Sequence, residues 1–537
     1  MGAWWLLARR ARSVSADLVG AAAAVERGAP ALVIAVAVAS AVGSAAFATA
    51  SAAGADASGY LSEAGQWTSG QLFYREPLAA TVGDPWLTTP LGWRPGPHAG
   101  LQAPTYPPGL PLLMALPHAA GGAAAARWVV TLAAALAVWA TGLMATRFAG
   151  GIAGVIAAVA IATTPVFLFQ SVQPMSDVPV TAAWMLTWLL VLRQASGIGD
   201  RGSGVAARGD QPLGLSFLAG ISCAIAVMIR PNLAPLAAVP LFAIGFNIRR
   251  LVAFSLPVAL AGLALMWLQW HWYGSPLRSG YGSADELFTL ANIGANAARY
   301  SVWLVTTSPL LLAAPAGIWL AWRQPPSKAL AAFAALVVAA YLVYAVFEVW
   351  SYLRFLLPAM AVAAVFAAMA IAAAIGRLPS PMRVMATLAV ILGIAAPGIS
   401  QARALETFRL ADQQRRVAQV ANFLSTTLPA DGVVVSGEQS GALRYHTGRS
   451  ILRWDVASPG ALAAALAVLN AAGRPVVVAL DAWEYEPFRA RLGALPAVSL
   501  EWPSVFDAGT SHRTRVWRLS DRDRFLRGEH VQTLRQP

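Results

Sequence analysis

Long apolar runs alternate with short polar segments along most of this chain of 537 residues. Runs of about 18 residues are long enough to cross a bilayer as α-helices. The pattern predicts about eleven transmembrane helices, so the expected fold class is a polytopic α-helical membrane protein. The predicted spans have approximate cores at 30–50, 125–146, 150–170, 178–194, 213–229, 232–247, 251–270, 301–321, 329–347, 355–375 and 384–400.

The polar segments between these runs predict the orientation of the chain. If the N-terminus is cytoplasmic and the spans alternate, the cytoplasmic loops are the cation-rich ones, as in membrane proteins generally. These loops hold Arg147, Arg193, Arg201, Arg208, Arg249, Arg250, Arg323, Lys328, Arg377 and Arg383. A cleaved signal peptide is the alternative interpretation of the first run, which ends in small residues. We expect an uncleaved first helix and an extracytoplasmic C-terminus.

This orientation predicts three regions: a cytoplasmic segment at 1–29, a transmembrane domain at 30–400 and an extracytoplasmic domain at 401–537. Within the transmembrane domain, 51–124 is the first outer loop. It contains "TYPPGLPLLMALP", which is too short and too rich in proline for a span and indicates a re-entrant or interfacial segment. In the last region, short strand-like runs such as "DGVVVSG" and "RPVVVALD" alternate with helical stretches, which predicts a small α/β domain.

Composition narrows the possible functions. Hydrophobic residues make up 58% of the chain, and the net charge of +13 is carried by arginine, which within the apolar region lies mainly in short loops between spans. That charge distribution is explained by membrane orientation, so we expect the lipid bilayer and no nucleic acid as a partner. Cys223 is the only cysteine, which excludes an intramolecular disulfide. There is no Walker loop, dinucleotide fingerprint or nucleophile elbow to indicate use of soluble nucleotides or serine chemistry.

Several ionisable residues from distant parts of the sequence are predicted at one depth, near the outer face. They are Asp56, Asp177, Arg230, Glu348 and Arg354. Ionisable groups at such positions are costly, and this shared depth indicates a functional site.

The individual roles leave alternatives open. Asp56, at the mouth of an apolar run, suits general-base catalysis, although a helix-capping role is the alternative. Asp177 begins a span and is either a site residue or an N-terminal acid stabilised by the helix dipole. Arg230, in "IRPN", is either a phosphate clamp or a snorkelling side chain.

Other polar residues nearby add to the candidate site. Arg354 lies in "FEVWSYLRFLLP" among aromatics, which indicates phosphate binding or anchoring in the headgroup region. If the segment after span one is helical, Glu63 faces the same way as Asp56; a solvated or structural acid is the alternative. A divalent metal bound by acids with His98, His118 or His271 is a further hypothesis, but their spacing matches no zinc motif.

The chain resembles the membrane-embedded C-type (GT-C) glycosyltransferases. The resemblance is one of architecture across roughly 30–400 and of local sequence in four places. The resemblance is to the bacterial branch related to protein O-mannosyltransferases and to the aminoarabinose transferase of lipid A. Asp56 follows span one, a "YPPG" segment from Tyr106 precedes the second span, a Ser-Asp pair ends at Asp177, and an Arg-aromatic-Leu-Leu-Pro run begins at Arg354. A single acid follows span one, where many O-mannosyltransferases have two, and the tail does not look like their β-trefoil module.

The resemblance implies an inverting transferase that takes a hexosyl or pentosyl group from a polyprenyl-phosphate donor on the outer face of the bacterial inner membrane. It implies Asp56 as general base, assisted by Asp177, and a cell-envelope glycan, lipid or protein as acceptor. Arg230 and Arg354 are the candidates for binding the leaving phosphate, because its developing charge needs a cation. We assign Glu348, Tyr60, Glu63 and Tyr106 to substrate binding.

Two other functions remain as alternatives. A transporter or flippase of a lipid-linked glycan would have polar residues at mid-membrane depth and paired broken helices. A membrane scaffold with a partner-binding outer domain would leave the shared depth of the charged residues unexplained.

Overall fold

The computed structural model describes residues 26–195, 213–510 and 512–536, so most of the predicted cytoplasmic segment 1–29 lies outside it. The described chain is mostly helical. Its α-helices are Glu26–Phe47, Gly54–Thr68, Ala79–Val82, Gly109–Ala126, Trp128–Ala162, Pro165–Ser171, Asp177–Ala195, Leu213–Ile229, Ala238–Ile244, Ile248–Tyr273, Ala284–Leu287, Ile293–Thr307, Ala314–Ala321, Pro325–Leu342, Leu357–Gly376, Ser380–Ala404, Leu410–Thr427, Ser440–Thr447, Pro459–Ala471, Tyr485–Leu492 and Asp521–Leu526.

By length and composition, seven of the described helices are apolar enough to cross a membrane, or eight if one bent pair is a single span. The bent pair is Leu290–Thr307 with Pro309–Ala321, which meet at 106° where Pro309 interrupts the backbone hydrogen bonding. Three further apolar helices in the described chain are shorter, namely Leu213–Ile229, Pro231–Ile244 and Pro459–Ala471. The multi-pass helical architecture is therefore confirmed, and the count of eleven spans stays a prediction.

The helix Trp128–Ala162 is broken at Ala149 and Gly150, which have non-helical backbone angles. A methyl group at Gly142 would lie 3.1 Å from the Cβ of Ala158. These positions would be about 24 Å apart in a straight helix, so the two halves fold back on each other as a hairpin. The break coincides with the loop predicted between the runs 125–146 and 150–170.

The "TYPPGLPLLMALP" segment is helical from Gly109 onwards. It continues through an alanine- and glycine-rich stretch as the 18-residue helix Gly109–Ala126, which is long and apolar enough to cross a membrane. That length includes a break, so the re-entrant or interfacial segment stays a prediction. Pro117 lies inside the helix, and Gly121 and Gly122 locally break it.

Small residues allow the central membrane helices to pack closely. Leu357–Gly376 is mostly buried and packs against Trp128–Ala162 and Asp177–Ala195. At Gly317 a Cβ atom would lie 1.8 Å from the Phe366 carbonyl oxygen, so this contact requires glycine. Close backbone approach at small residues is a main source of helix association in membranes.

Two sheets lie in the regions predicted to face outward. In the first outer segment, β1 (Tyr74–Arg75), β3 (Leu101–Pro104) and β2 (Trp93–Pro95) form a small antiparallel sheet in that order. The C-terminal region contains a six-stranded sheet with the order β5-β4-β6-β8-β7-β9. Its strands are β4 (Val433–Ser436), β5 (Ser450–Arg453), β6 (Val476–Asp481), β7 (Phe506–Ala508), β8 (Thr514–Arg518) and β9 (Leu534–Gln536).

The three strands β5, β4 and β6 are parallel, and helices connect them as in an α/β unit. Polar Leu410–Thr427 packs on the sheet through Phe423, whose ring stacks on Phe506 at 4.4 Å. The predicted domain boundary at 401 falls in the last turn of the helix Ser380–Ala404, and a separate domain beginning there stays a prediction.

The helix Gly54–Thr68 lies between the membrane helix Gly109–Ala126 and Ser440–Thr447 of the C-terminal region. His118 and Tyr445 share a hydrogen bond of 2.8 Å, and His446 bonds the Ser51 carbonyl at 2.8 Å. These contacts join the helix Ser440–Thr447 to Gly109–Ala126 and to the residues just before the Asp56 helix.

Candidate active site

Asp56 lies in the first turn of Gly54–Thr68 and forms an ion pair with Arg354. The distance between Arg354 Nη2 and Asp56 Oδ2 is 2.8 Å, and the Asp56 side chain is 29% exposed. Arg354 is positioned by the 3₁₀ helix Trp350–Leu356, which ends where Pro358 favours the start of the next α-helix. The partly exposed Asp56 carboxylate is thus held against the Arg354 guanidinium.

A second ion pair, between Asp177 and Arg230, is almost completely buried. Asp177 is the first residue of its helix and Arg230 follows the end of Leu213–Ile229, where Pro231 prevents the α-helix from continuing. The Asp177 and Arg230 side chains are 1% and 9% exposed. Arg230 is therefore not a snorkelling side chain, and Asp177 forms an ion pair with Arg230 in addition to beginning a helix.

The two ion pairs lie side by side. Arg354 Nε is 3.9 Å from Asp177 Oδ1, so this guanidinium lies between both carboxylates. Asp177 Oδ2 has no hydrogen-bond partner in the described part of the chain. The structure thus joins four of the five ionisable residues that the sequence predicted at one depth, and two acids and two arginines make the cluster electrically neutral. We call these four residues the charged cluster.

Aromatic rings surround the charged cluster. The Arg230 guanidinium lies 5.2 Å from the centre of the Phe355 ring, and Arg354 lies 4.9 Å from that of Tyr352. Such cation–π contacts favour the charged form of each arginine in a dry environment. Arg230 Nη1 also donates a 3.2 Å hydrogen bond to the hydroxyl of Tyr341.

Tyr60 and Tyr106 lie beside the cluster, with ring centres 4.8 Å apart. The Tyr60 hydroxyl donates to Ser176 Oγ at 2.9 Å, which ties the Asp56 helix to the residue before Asp177. Burial and the nearby Asp56 charge raise the pKa of both phenols, so both are neutral hydrogen-bond donors. A methyl group at Gly59 would lie 2.3 Å from the Tyr106 ring, so glycine is required there.

Glu63 and Glu348 lie outside the charged cluster. The Glu63 side chain is buried, and its only hydrogen bond among the described residues comes from Trp67 Nε1 at 3.2 Å. Burial therefore raises its pKa well above the ordinary value, and the solvated alternative is wrong. Glu348 is 85% exposed and pairs with Arg299 at 3.2 Å. Their assignment to substrate binding stays a prediction.

The three histidines also lie apart. His118 bonds Tyr445, His271 Nδ1 lies 2.9 Å from the Trp267 carbonyl oxygen, and His98 is exposed. Within residues 26–195, 213–510 and 512–536, no group of three or more His, Cys, Asp or Glu side chains is arranged to hold a metal ion.

Sequence reasoning missed a cleft beside the charged cluster. It lies between Gly54, at the start of the Asp56 helix, and residues that follow β4 and β6. Glu438 Oε1 is 3.6 Å from where a Gly54 Cβ would be. The negative charges of Asp481 and Asp56 add to burial in raising the pKa of Glu438. The signal available in the sequence was that polar residues follow the predicted strands "DGVVVSG" and "RPVVVALD".

Comparison with known proteins finds similarity in structure. No family model matches the chain, and no curated protein matches its sequence. ArnT from Cupriavidus metallidurans, in its crystal structure bound to undecaprenyl phosphate, superposes with a TM-score of 0.54 at 14% identity, over 91% of this chain and 97% of that one.

Archaeoglobus fulgidus oligosaccharyltransferase provides two further similar structures. Tethered with an acceptor peptide containing the NVT sequon, it gives a TM-score of 0.52 at 16% identity, covering 89% of this chain and 73% of that one. As AglB in complex with an inhibitory peptide and a dolichol-phosphate, it gives a TM-score of 0.52 at 14% identity, covering 86% of this chain and 71% of that one. The chain is thus similar in fold to ArnT and AglB, and this is the C-type glycosyltransferase fold that the sequence predicted.

Proposed function

We propose that this protein is an inverting glycosyltransferase that moves a hexosyl or pentosyl group from a polyprenyl-phosphate donor to a cell-envelope acceptor. The observation that carries the proposal is the charged cluster, where Arg354 lies between Asp56 and Asp177 in an aromatic surround. The fold shared with ArnT, which was crystallised with undecaprenyl phosphate, and with AglB, which was studied with dolichol-phosphate, supports a lipid-phosphate ligand.

The cluster is suited to a phosphate because its arginines are held in place before the ligand arrives. Arg230 is fixed by Asp177 and Tyr341, whereas Arg354 is shared between two acids. A donor phosphodiester that enters the cluster competes with Asp56 for Arg354. Guanidinium groups bind phosphate oxygens through paired, charge-assisted hydrogen bonds, so this exchange brings phosphate to Arg354 and leaves the Asp56 carboxylate free.

The free carboxylate then serves as the base. The acceptor oxygen attacks the anomeric carbon while its proton passes to a carboxylate oxygen of Asp56. The bond between the anomeric carbon and the phosphate oxygen breaks, and its electron pair stays on the phosphate. Arg354 and Arg230 stabilise the charge that develops on the leaving group. Attack opposite the leaving phosphate inverts the anomeric configuration.

The neutral tyrosines have a separate role in this mechanism. Tyr60 and Tyr106 present phenol groups next to Asp56 and keep their protons, so they position donor or acceptor hydroxyls without competing as bases. Asp177 keeps Arg230 oriented. The reaction takes place on the outer face of the bacterial inner membrane, with the N-terminus in the cytoplasm and the C-terminal region outside.

The test is transfer of a radiolabelled sugar from a panel of polyprenyl-phosphate sugars in membranes that contain the protein. We expect transfer by the wild type and its loss in Asp56→Asn at matched expression. Asp523→Asn is the control, because Asp523 pairs with Arg522 at 3.2 Å on the exposed C-terminal surface. Absence of transfer by the folded wild type with every donor, given envelope acceptors, would refute the proposal.

A further inference from the structure

The cleft beside the charged cluster encloses about 450 Å³. One side is formed by Ala53 and Gly54, which precede Asp56 by three and two residues, and by the helix Leu410–Thr427. The other side is formed by the residues that follow β4 and end β6. The complete lining is Ala53, Gly54, Leu410, Gln413, Gln414, Arg416, Glu438, Gln439, Asp481, Trp483 and His512.

The topology of the C-terminal sheet explains why a cleft forms here. After β4 the chain crosses to β5 on one side, and after β6 it continues to β7 and β8 on the other side. The connections from the adjacent parallel strands β4 and β6 therefore leave in opposite directions. In open α/β sheets such a switch point, at the carboxyl ends of the strands, opens a crevice in which ligands bind.

The floor of the cleft is a fixed polar network. Arg416 Nη2 and Gln439 Nε2 each donate to Asp481 Oδ2 at 2.9 Å, and Thr514 donates to the other carboxylate oxygen. Asp481 is buried, and both of its carboxylate oxygens accept hydrogen bonds in this network. Planar groups held in this way present their remaining donors and acceptors in a constant arrangement, which favours a ligand with many hydroxyl groups.

Two groups in the cleft remain available to a ligand. Trp483 is 61% exposed, although it lies only two residues after the buried strand β6. The Glu438 carboxylate has no hydrogen-bond or ion-pair partner among the described residues, and only its backbone N–H is engaged, with Glu484 at 3.0 Å. An exposed indole ring next to a free carboxylate and fixed polar groups can stack on the C–H face of a sugar ring while hydrogen-bonding its hydroxyls.

We propose that this cleft binds a saccharide acceptor, with Trp483 as the stacking platform, Glu438 as a hydroxyl ligand and the Asp481 network as the fixed floor. The acceptor role rests on the glycosyl transfer proposed above. The position of Gly54 brings the bound saccharide to the start of the Asp56 helix, so that its terminal hydroxyl reaches the carboxylate of Asp56.

The lining argues against two other acceptor classes. A lipid tail would need an extended apolar wall, whereas the apolar side chains here are only those of Ala53, Leu410 and Trp483. An extended peptide binds by adding to a sheet edge, whereas this cleft lies at the ends of strands in the interior of the sheet. The acceptor glycan therefore enters through a polar opening between the first outer segment and the C-terminal sheet.

The test is direct binding of the purified full chain to a panel of immobilised neutral, acidic and amino tetrasaccharides. We expect the wild type to bind members of the panel, and Trp483→Ala to bind them about tenfold more weakly, which corresponds to about 1.4 kcal/mol. Trp483→Phe keeps an aromatic face and should retain most of the affinity, and Glu438→Gln should weaken binding without removing the platform. Trp86→Ala is the control, since Trp86 is 45% exposed and lies outside the cleft.

Each result decides the proposal. Failure of the wild type to bind any saccharide, or equal binding by Trp483→Ala and the wild type, would overturn it. Because binding is measured without donor, it is independent of transfer. Trp483-dependent binding without any sugar transfer would refute the proposed function and leave the saccharide site in place. Asp56-dependent transfer with Trp483-independent binding would refute the saccharide site alone.

Discussion

Arg230→Gln should strongly destabilise the protein, because it leaves the buried Asp177 carboxylate without its main partner. The Asp177 side chain is only 1% exposed, and one of its oxygens already lacks a hydrogen-bond partner among the described residues. The next cation is Arg354, whose Nε lies 3.9 Å away and which is engaged by Asp56. Water has almost no access to compensate for the missing guanidinium.

The expected loss follows from the difference between buried and exposed ion pairs. Removing one partner of a buried pair costs about 3–5 kcal/mol, since an uncompensated charge remains. An exposed pair is worth about 0–1 kcal/mol. Arg522, 34% exposed and 3.2 Å from Asp523, supplies the matched exposed control as Arg522→Gln. The double variant Arg230→Gln with Asp177→Asn leaves no buried charge and should be more stable than Arg230→Gln alone.

The assay is equilibrium unfolding of the purified protein in mixed micelles, followed by tryptophan fluorescence. We expect Arg230→Gln to lower the free energy of unfolding by at least about 3 kcal/mol relative to wild type and Arg522→Gln to leave it nearly unchanged. If the two single variants unfold alike, or if the double variant is less stable than Arg230→Gln, the buried-pair interpretation is refuted.

Three further predictions concern residues near Asp56. Burial raises the Glu63 pKa above 4.5, so the folded state holds a proton that the unfolded state loses; stability should fall by up to about 1.4 kcal/mol per pH unit as pH rises above 4.5 towards the folded pKa. Glu63→Gln should remove this slope in thermal unfolding measured across pH, and Glu501→Gln should not. Gly92→Ala should lower the melting temperature, because φ is +91° and the new Cβ would lie 2.7 Å from Gly59 Cα; an unchanged melting temperature would contradict this packing. Arg354→Lys should weaken donor binding and transfer more than tenfold, because a single ammonium cannot replace the paired hydrogen bonds of guanidinium; near-wild-type values for both would contradict its phosphate role.

The sequence was sufficient to predict the helical membrane architecture, because apolar runs of spanning length are a local signal. The hairpin break at Ala149 and Gly150 was also predictable, since Arg147 and the glycines interrupt two apolar runs. The extension of Gly109–Ala126 was not. Its first half is rich in proline, and its continuation through alanine and glycine, across a break at Gly121 and Gly122, is visible only in the structure.

The charged cluster was predictable as a group but not as a set of pairs. A common depth followed from topology, and this placed Asp56 and Arg354 at the same face. The pairing of Arg230 with Asp177, and the position of Arg354 between two acids, depend on how distant helices pack. The burial of Glu63 was not predictable, since an acid in a predicted outer loop is ordinarily solvated, whereas helix packing buries this one.

The cleft at the C-terminal sheet required strand order, which is not a local property. Polar residues after "VVVS" and "VVVAL" were visible in the sequence, and the strands themselves were predicted. That β4 and β6 are neighbours, with their connections leaving in opposite directions, is known only from the folded structure. Glu438 and Trp483 therefore enter the candidate site only once the sheet is assembled beside Gly54.

The central claim is that Asp56 acts as a base in sugar transfer and not in donor binding. The most direct measurement compares, in the same purified preparation, binding of a labelled polyprenyl-phosphate sugar and its transfer to an envelope acceptor by wild type and Asp56→Asn. We predict that Asp56→Asn binds the donor at least as well as wild type, because Arg354 is released from its carboxylate partner, and that it transfers no sugar. Transfer at the wild-type rate by Asp56→Asn would contradict the account, as would loss of donor binding in the folded variant.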